Sequence, residues 1–359
     1  MAQAVSLLPF TLSRTNLCAA VPVSNSTMAA YTRMAYYKDQ GRVYKGTVKE
    51  FPGFDPEKDA AALRKAMKGL GTDEDVLIDV LVGRSNEQRQ KIAECYKSQY
   101  GLDLCEDIQS EVSGSYESLL TALLCPADKY DAREMHKALK GAGTSENVLI
   151  EILTTRPKPC IQLLRKVYQE EFGSSLEDDI KSDTSGYFVR VLVSLLQAKR
   201  DDPSFIDHAE AKKDAKVIFD AGEKICGTDE EAIISILCTE SRPQLLQVFQ
   251  EYQNLAGKSI EESLKRETSG TLEAALLAIV ACIRDPPTYF AEQLYCAMKG
   301  SGTNEATVIR VMVSRSEIDL QDIKAAMKMK YGTTLHSMIQ GDIGGYIGKA
   351  LLKLCGGND

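Results

Sequence analysis

A chain of 359 residues with 44% hydrophobic and 26% charged residues has ordinary soluble globular composition and enough length for several cores. Its 51 acidic against 43 basic residues give a formal net charge of -8. Direct attraction to nucleic acid or to an anionic lipid surface is therefore not expected, and contact with a negative surface would need an intervening cation.

In chain order, the first 45 residues carry no acid until Asp39, are rich in Ser, Thr and Ala, and include Arg14 and Arg33. That composition mimics an organellar transit peptide, although arginine is sparse; the other reading is a mobile tail, with Met28 or Met34 as alternative starts. The stretch DPEKDAAALRKAMK then reads as a helix and runs into a glycine corner, MKGLGTDED at 67 to 75. Beyond the corner, Leu77, Val80 and Leu81 stand at helical spacing. NEQRQKIAECYKSQYG, DLCEDIQSEV and SYESLLTALL follow as three further helices, with Gly101 and Gly114 as breaks.

The corner returns as LKGAGTSEN at 139 to 147, EKICGTDEE at 223 to 231 and MKGSGTNEA at 298 to 306. Aligned on Thr72, Thr144, Thr228 and Thr303, every copy has a glutamate two positions on, an isoleucine six on and a glycine 29 on. Each also has an acid 39 on (Glu111, Asp183, Glu267, Asp342) and a glycine three residues after it. The threonines are separated by 72, 84 and 75 residues, so spacing is fixed inside a repeat and the linkers vary. Five helices per repeat make about twenty in all, and strand signals are scarce, so the fold class is all-α.

A glycine corner can be only a tight turn. Gly closes a helix, Thr caps the next one, and an acid stands at the third helical position in repeats one and three (Asp75, Glu231). Capping does not, however, require an acid 39 residues away in each copy. A calcium ion does, because it takes six to eight oxygens, and peptide carbonyls with one bidentate carboxylate supply them. Glycines let carbonyls turn toward one point. One carboxylate per ion predicts weak binding by the protein alone, with remaining positions open to a lipid phosphate oxygen, and calcium and lipid then strengthen each other's binding.

The ten cysteines form no CxxC pair and have no histidine at zinc spacing, which points to reduced, mostly buried thiols. No run of about 18 apolar residues marks a membrane-crossing helix. No phosphate-binding glycine loop, H-E-x-x-H or dinucleotide fingerprint is present, and His136, His208 and His336 are scattered, so the chain reads as a non-enzyme. A helical-repeat scaffold that binds a protein and uses the corners only as turns is the competing class. Fourfold recurrence of the acid argues against it.

K-G-x-G-T with an acid 39 residues on, together with GSSLEDDI at 173 to 180, SDTSGY after it and RVMVSRSEIDL at 310 to 320, resembles the annexin family, and its vertebrate four-repeat members most. The likeness covers about residues 50 to 357. It implies four five-helix repeats forming a curved disc: a variable tail at 1–50, then repeats at 51–125, 126–198, 199–283 (with a linker) and 284–359. It also implies binding of several Ca2+ ions and docking on phosphatidylserine-type anionic phospholipid membranes, with self-association there. The implied setting is cytoplasmic, peripheral on membranes when calcium rises, or the extracellular surface. Membrane coating, membrane repair, phospholipase A2 inhibition and anticoagulant shielding all follow from covering an anionic surface.

Carried over residue by residue, the resemblance implies carbonyls of Met67, Gly69 and Gly71 with the carboxylate of Glu111 in repeat one, and a minor site at Thr72 with Glu74. Repeat two would use Leu139, Gly141, Gly143 and Asp183, and repeat four Met298, Gly300, Gly302 and Asp342. Repeat three has a loop one residue longer, implying Gly222, Ile225 and Gly227 with Glu267; Cys226 stands where some relatives carry a membrane-dipping aromatic, and Ile225 would supply the apolar contact. A basic residue 12 positions after the threonine (Arg84, Arg156, Arg315) is expected to bond helix-end carbonyls, and Glu240 replaces it in repeat three, which bears on packing there.

Overall fold

The computed structural model describes residues 45–69, 71–141, 143–200, 205–222, 229–300 and 302–357, and these contain twenty α-helices and no strand. Repeat one comprises α1 (Pro56–Ala66), α2 (Glu74–Val82), α3 (Asn86–Tyr100), α4 (Leu104–Glu111) and α5 (Gly114–Leu124). Repeat two comprises α6 (Ala127–Lys140), α7 (Glu146–Thr155), α8 (Lys158–Phe172), α9 (Leu176–Asp183) and α10 (Gly186–Leu196). Repeat three has α11 (His208–Gly222), α12 (Glu230–Thr239), α13 (Arg242–Ala256), α14 (Ile260–Glu267) and α15 (Gly270–Arg284). Repeat four has α16 (Pro286–Met298), α17 (Glu305–Arg315), α18 (Leu320–Tyr331), α19 (Leu335–Asp342) and α20 (Gly345–Leu354).

Local chemistry accounts for these elements. Asp55 caps α1 by accepting from the N–H groups of Glu57 and Lys58, Pro56 fills the first turn, and the stripe Ala60, Leu63, Ala66 is buried. Ser85 and Gln88 form a capping box on α3. The third helix of every repeat stops at a left-handed glycine, Gly101, Gly173, Gly257 or Gly332, at φ of 68 to 71°. The first helix of each repeat packs on the second and third, and one hydrophobic core runs through the molecule.

Seams between repeats set the arrangement. Repeats one and four meet where α20 packs on α2 and α17 on α5, and repeats two and three where α10 packs on α12 and α7 on α15. Repeats two and four are joined by a buried bidentate pair, Arg310 donating to Glu151 at 3.0 and 2.8 Å. The described end of the segment before repeat one is bound to repeat four. Thr47 and Val48 N–H groups donate to the Ser316 carbonyl at 2.7 and 3.0 Å, and Gln321 N–H donates to the Lys45 carbonyl at 2.9 Å. Gly46 lies against the Glu317 backbone, where a Cβ would come within 2.5 Å. The remainder of the expected tail, 1–44, with its transit-peptide and alternative-start readings, lies outside the described residues.

Candidate metal site

Each corner is closed by one repeated hydrogen bond. The N–H of the residue after the threonine donates to a carbonyl seven residues back: Asp73 to Ala66 at 2.9 Å, Ser145 to Ala138 at 3.1 Å and Asn304 to Ala297 at 2.8 Å. In repeat three the same bond, Asp229 to Ala221 at 3.1 Å, spans eight residues. The extra residue is therefore absorbed inside the loop. The threonine is not the helix cap that sequence suggests. Capping falls to its successor, with Asp73, Asp229 and Asn304 side chains accepting from Val76, Ala232 and Thr307 N–H groups. Asp75 and Glu231 are thus not capping-box partners, because the cap has moved by one position.

Freed from capping, the threonine reaches the distant acid. Thr72 Oγ1 donates to Glu111 Oε2 at 2.8 Å, and Thr144 Oγ1 to Asp183 Oδ2 at 2.6 Å. Loop and acid, 39 residues apart in sequence, are in contact in both repeats. In repeat three, Gly222 lies beside Glu267, whose Cγ is 3.5 Å from where a Cβ would stand. In repeat four, α16, which leads into the loop, packs on α19, which ends at Asp342. Ile225, Gly227 and Cys226 lie outside the described residues.

The loops fit a carbonyl-lined site. Met67, Leu139 and Met298 have buried side chains, which anchor the loop start, while Gly69, Gly71, Gly141, Gly143, Gly300 and Gly302 are exposed. Gly71 at φ 85° and Gly302 at φ 119° adopt backbone that a side chain disfavours. Gly141 differs: its φ is -73°, so repeat two does not need glycine there for backbone reasons.

All four acids are the last residue of the fourth helix of their repeat: Glu111, Asp183, Glu267 and Asp342. A carboxylate at that end opposes the helix dipole, and a cation beside it reverses the penalty. Among the described residues no group of three or more His, Cys, Asp or Glu is placed to hold a metal ion, so a hard cation bound there would need oxygens beyond side-chain carboxylates, such as peptide carbonyls and water. Glu74 and Glu111 line one open groove with Tyr116, Glu305 and Tyr346, and Tyr116 donates to the Glu74 carbonyl at 3.3 Å.

Sequence reading missed how the acid's helix is held. Four residues before the acid stands Asp107 or Asp179. Tyr96 donates to Asp107 at 2.6 Å and Arg64 pairs with it at 3.1 Å; Tyr168 donates to Asp179 at 2.7 Å and Lys140 pairs with it at 3.1 Å. Burial alone would raise the Asp179 carboxyl pKa, but hydrogen bonds from Tyr168, Ser174 and Lys140 hold it below the ordinary value. The repeat of Tyr and Asp at fixed offsets was the available signal.

The arginine at position 12 does more than bond a helix end: Arg84 donates to the Gly83 carbonyl that closes α2 at 3.3 Å, as expected, and also pairs with an acid. Arg84 and Arg156 form bidentate pairs with Asp59 and Asp131, which lie on the first helices of their repeats. Further helix-end carbonyls are bonded by other arginines, Arg89 bonding those of Leu81 and Arg84, and Arg200 those of Leu237 and Glu240.

With this geometry in place, comparison with known proteins is decisive. The family model described as Annexin matches residues 58–123, 130–195, 213–279 and 289–354. Annexin A5 of Bos taurus is 53% identical over 318 residues, 89% of this chain and 99% of the relative. Annexin A8-like protein 1 of Homo sapiens is 53% identical over 324 residues, 90% of this chain and 99% of the relative. Among solved structures, annexin III superposes with a TM-score of 0.86 at 46% identity, covering 88% of this chain and 98% of that one. Calcium-bound annexin (Sm)1 does so with a TM-score of 0.77 at 33% identity, covering 88% and 94%.

Proposed function

This chain belongs to the annexin family, whose general property is calcium-dependent phospholipid binding, and we propose that it binds anionic, phosphatidylserine-type membranes through the four glycine corners. The observation that carries this reading is the threonine hydroxyl holding the distal carboxylate beside an exposed glycine loop, at 2.8 Å in repeat one and 2.6 Å in repeat two. The proposed ligands are the Met67, Gly69 and Gly71 carbonyls with Glu111, the Leu139, Gly141 and Gly143 carbonyls with Asp183, and the Met298, Gly300 and Gly302 carbonyls with Asp342. Gly222, Ile225, Gly227 and Glu267 make up the proposed repeat-three set, and Thr72 with Glu74 a minor site.

Calcium, when bound, supplies positive charge and coordination positions that a lipid phosphate oxygen can fill. The chain's own part is to present carbonyls from a loop that glycine keeps open and, in repeats one and two, to hold the carboxylate in place through the threonine and through the Asp107 or Asp179 network. With a net charge of -8 the protein does not approach an anionic surface unaided, so binding should depend wholly on the ion.

No helix among the described residues is long and apolar enough to cross a membrane. The role proposed is peripheral and non-enzymatic, in the cytoplasm or at the outer cell surface. The proposed repeat bounds are 51–125, 126–198, 199–283 and 284–359. Membrane coating, phospholipase A2 inhibition by covering substrate, anticoagulant shielding and self-association on the surface are finer proposals from the same act. Flotation with phosphatidylserine and with pure phosphatidylcholine vesicles tests the reading. Co-flotation is expected only with the anionic vesicles and calcium, and is lost on chelation; equal binding to both lipids, or binding that survives chelation, would reject it.

A further inference from the structure

In repeats one and two, the first two helices form a hairpin closed at both ends. The corner closes one end, and a bidentate pair between buried groups closes the other. Arg84 donates to Asp59 at 2.6 and 2.9 Å, and Arg156 to Asp131 at 2.9 and 2.8 Å. Repeat four keeps a variant: Phe290 of α16 stands at the acid's position, Arg315 lies 4.5 Å from its ring centre, and Arg315 pairs with Asp319.

Repeat three breaks the pattern. Its acid, Asp214 on α11, is present and buried, and its Oδ2 has no hydrogen-bond partner among the described residues. At the arginine's position stands Glu240. Arg200 bonds the Leu237 and Glu240 carbonyls, the role that Arg89 has in repeat one. Removing one partner of a buried pair leaves an uncompensated charge, which is strongly destabilising.

We propose that this ion pair is a positioning clamp for the corner of its own repeat, and that repeat three, with an acid in place of the arginine, is the repeat whose first two helices separate most readily. Segments with low opening free energy are where a protein responds to ligand. If the corners bind calcium, as proposed above, calcium orders α11 and α12 more than it orders the clamped hairpins, since an ordered hairpin has less left to gain.

Amide hydrogen exchange on the full chain, first without calcium, tests the clamp apart from the calcium reading. The α11 and α12 amides should exchange at least about tenfold faster than those of α6 and α7, and Glu240→Arg should slow them about tenfold while leaving α6 and α7 unchanged. Arg156→Met, which transplants the defect into repeat two, should speed α6 and α7. Equal exchange in the two repeats, no slowing by Glu240→Arg, or no effect of Arg156→Met would each overturn the proposal. On adding calcium, the gain in protection at α11 and α12 should be smaller in Glu240→Arg than in wild type. An undiminished gain would overturn the positioning role, and no calcium effect in any repeat would overturn the calcium reading while leaving the clamp intact.

Discussion

At the scale of single residues, Thr72 and Thr144 matter because the hydroxyl of each meets a carboxylate from another helix. Thr144→Val keeps shape and removes the hydroxyl's bonds to the Asp183 carboxylate and carbonyl, so if they position Asp183 for calcium, half-maximal vesicle binding should need about threefold to tenfold more calcium, the equivalent of ~1 kcal/mol. A lower calcium requirement would mean that the hydroxyl competes with the ion. Asp214 gives a second test. Burial raises its carboxyl pKa, Glu210 adds to the rise and Lys213 opposes it. A carboxyl that binds its proton more tightly when folded contributes stability at acid pH that is lost as pH rises through the raised value. Asp214→Asn should therefore be more stable than wild type at neutral pH, and the advantage should shrink as pH falls into the carboxylate range; denaturant midpoints across pH check this. An advantage that does not vary with pH would contradict it.

At the scale of elements, helices are fixed by short-range signals and hairpins by side chains that meet over distance. Arg156→Met strips the buried Asp131 of its partner and should cost about 3–5 kcal/mol, whereas Lys91→Ala, which breaks the exposed pair with Glu87, should change stability by about 1 kcal/mol or less. Comparable losses from the two would show that burial is not what makes the clamp. The helices were legible because Asp55, Ser85 and Gly101 are local stop and start signals and because Leu77, Val80 and Leu81 keep a 3.6-residue period. The candidate ligands were legible through recurrence of the acid at a fixed offset. What stayed hidden depends on which oxygen a side chain reaches. Thr72 reads as a cap until Asp73 is seen to take that role, and Arg84, which does bond the Gly83 carbonyl, gives no sign in sequence of Asp59, 25 residues earlier, as its second partner. The binding of Lys45 to Val48 against repeat four could not be read at all, because it rests on backbone bonds between segments more than 260 residues apart.

At the scale of the whole molecule, the four corners act together only if the repeats keep their relative positions. The buried Arg310–Glu151 pair ties repeat two to repeat four, and the exposed Lys349–Asp75 and Lys353–Asp79 pairs tie repeat four to repeat one. Glu151→Gln should therefore lower the unfolding midpoint clearly, while Lys353→Ala should shift it little and less still at high salt; equal shifts would show that the buried pair is not what holds the seam. The central claim is that carbonyl loops and one carboxylate per repeat carry calcium to an anionic membrane. The most direct measurement is co-sedimentation with phosphatidylserine liposomes across a calcium titration, with wild type beside a Glu111→Gln, Asp183→Asn, Asp342→Asn triple variant. Chelator-reversible pelleting that moves to much higher calcium in the folded variant is the predicted result. Identical titrations of the two proteins, or no pelleting at any calcium concentration, would reduce the glycine corners to turns.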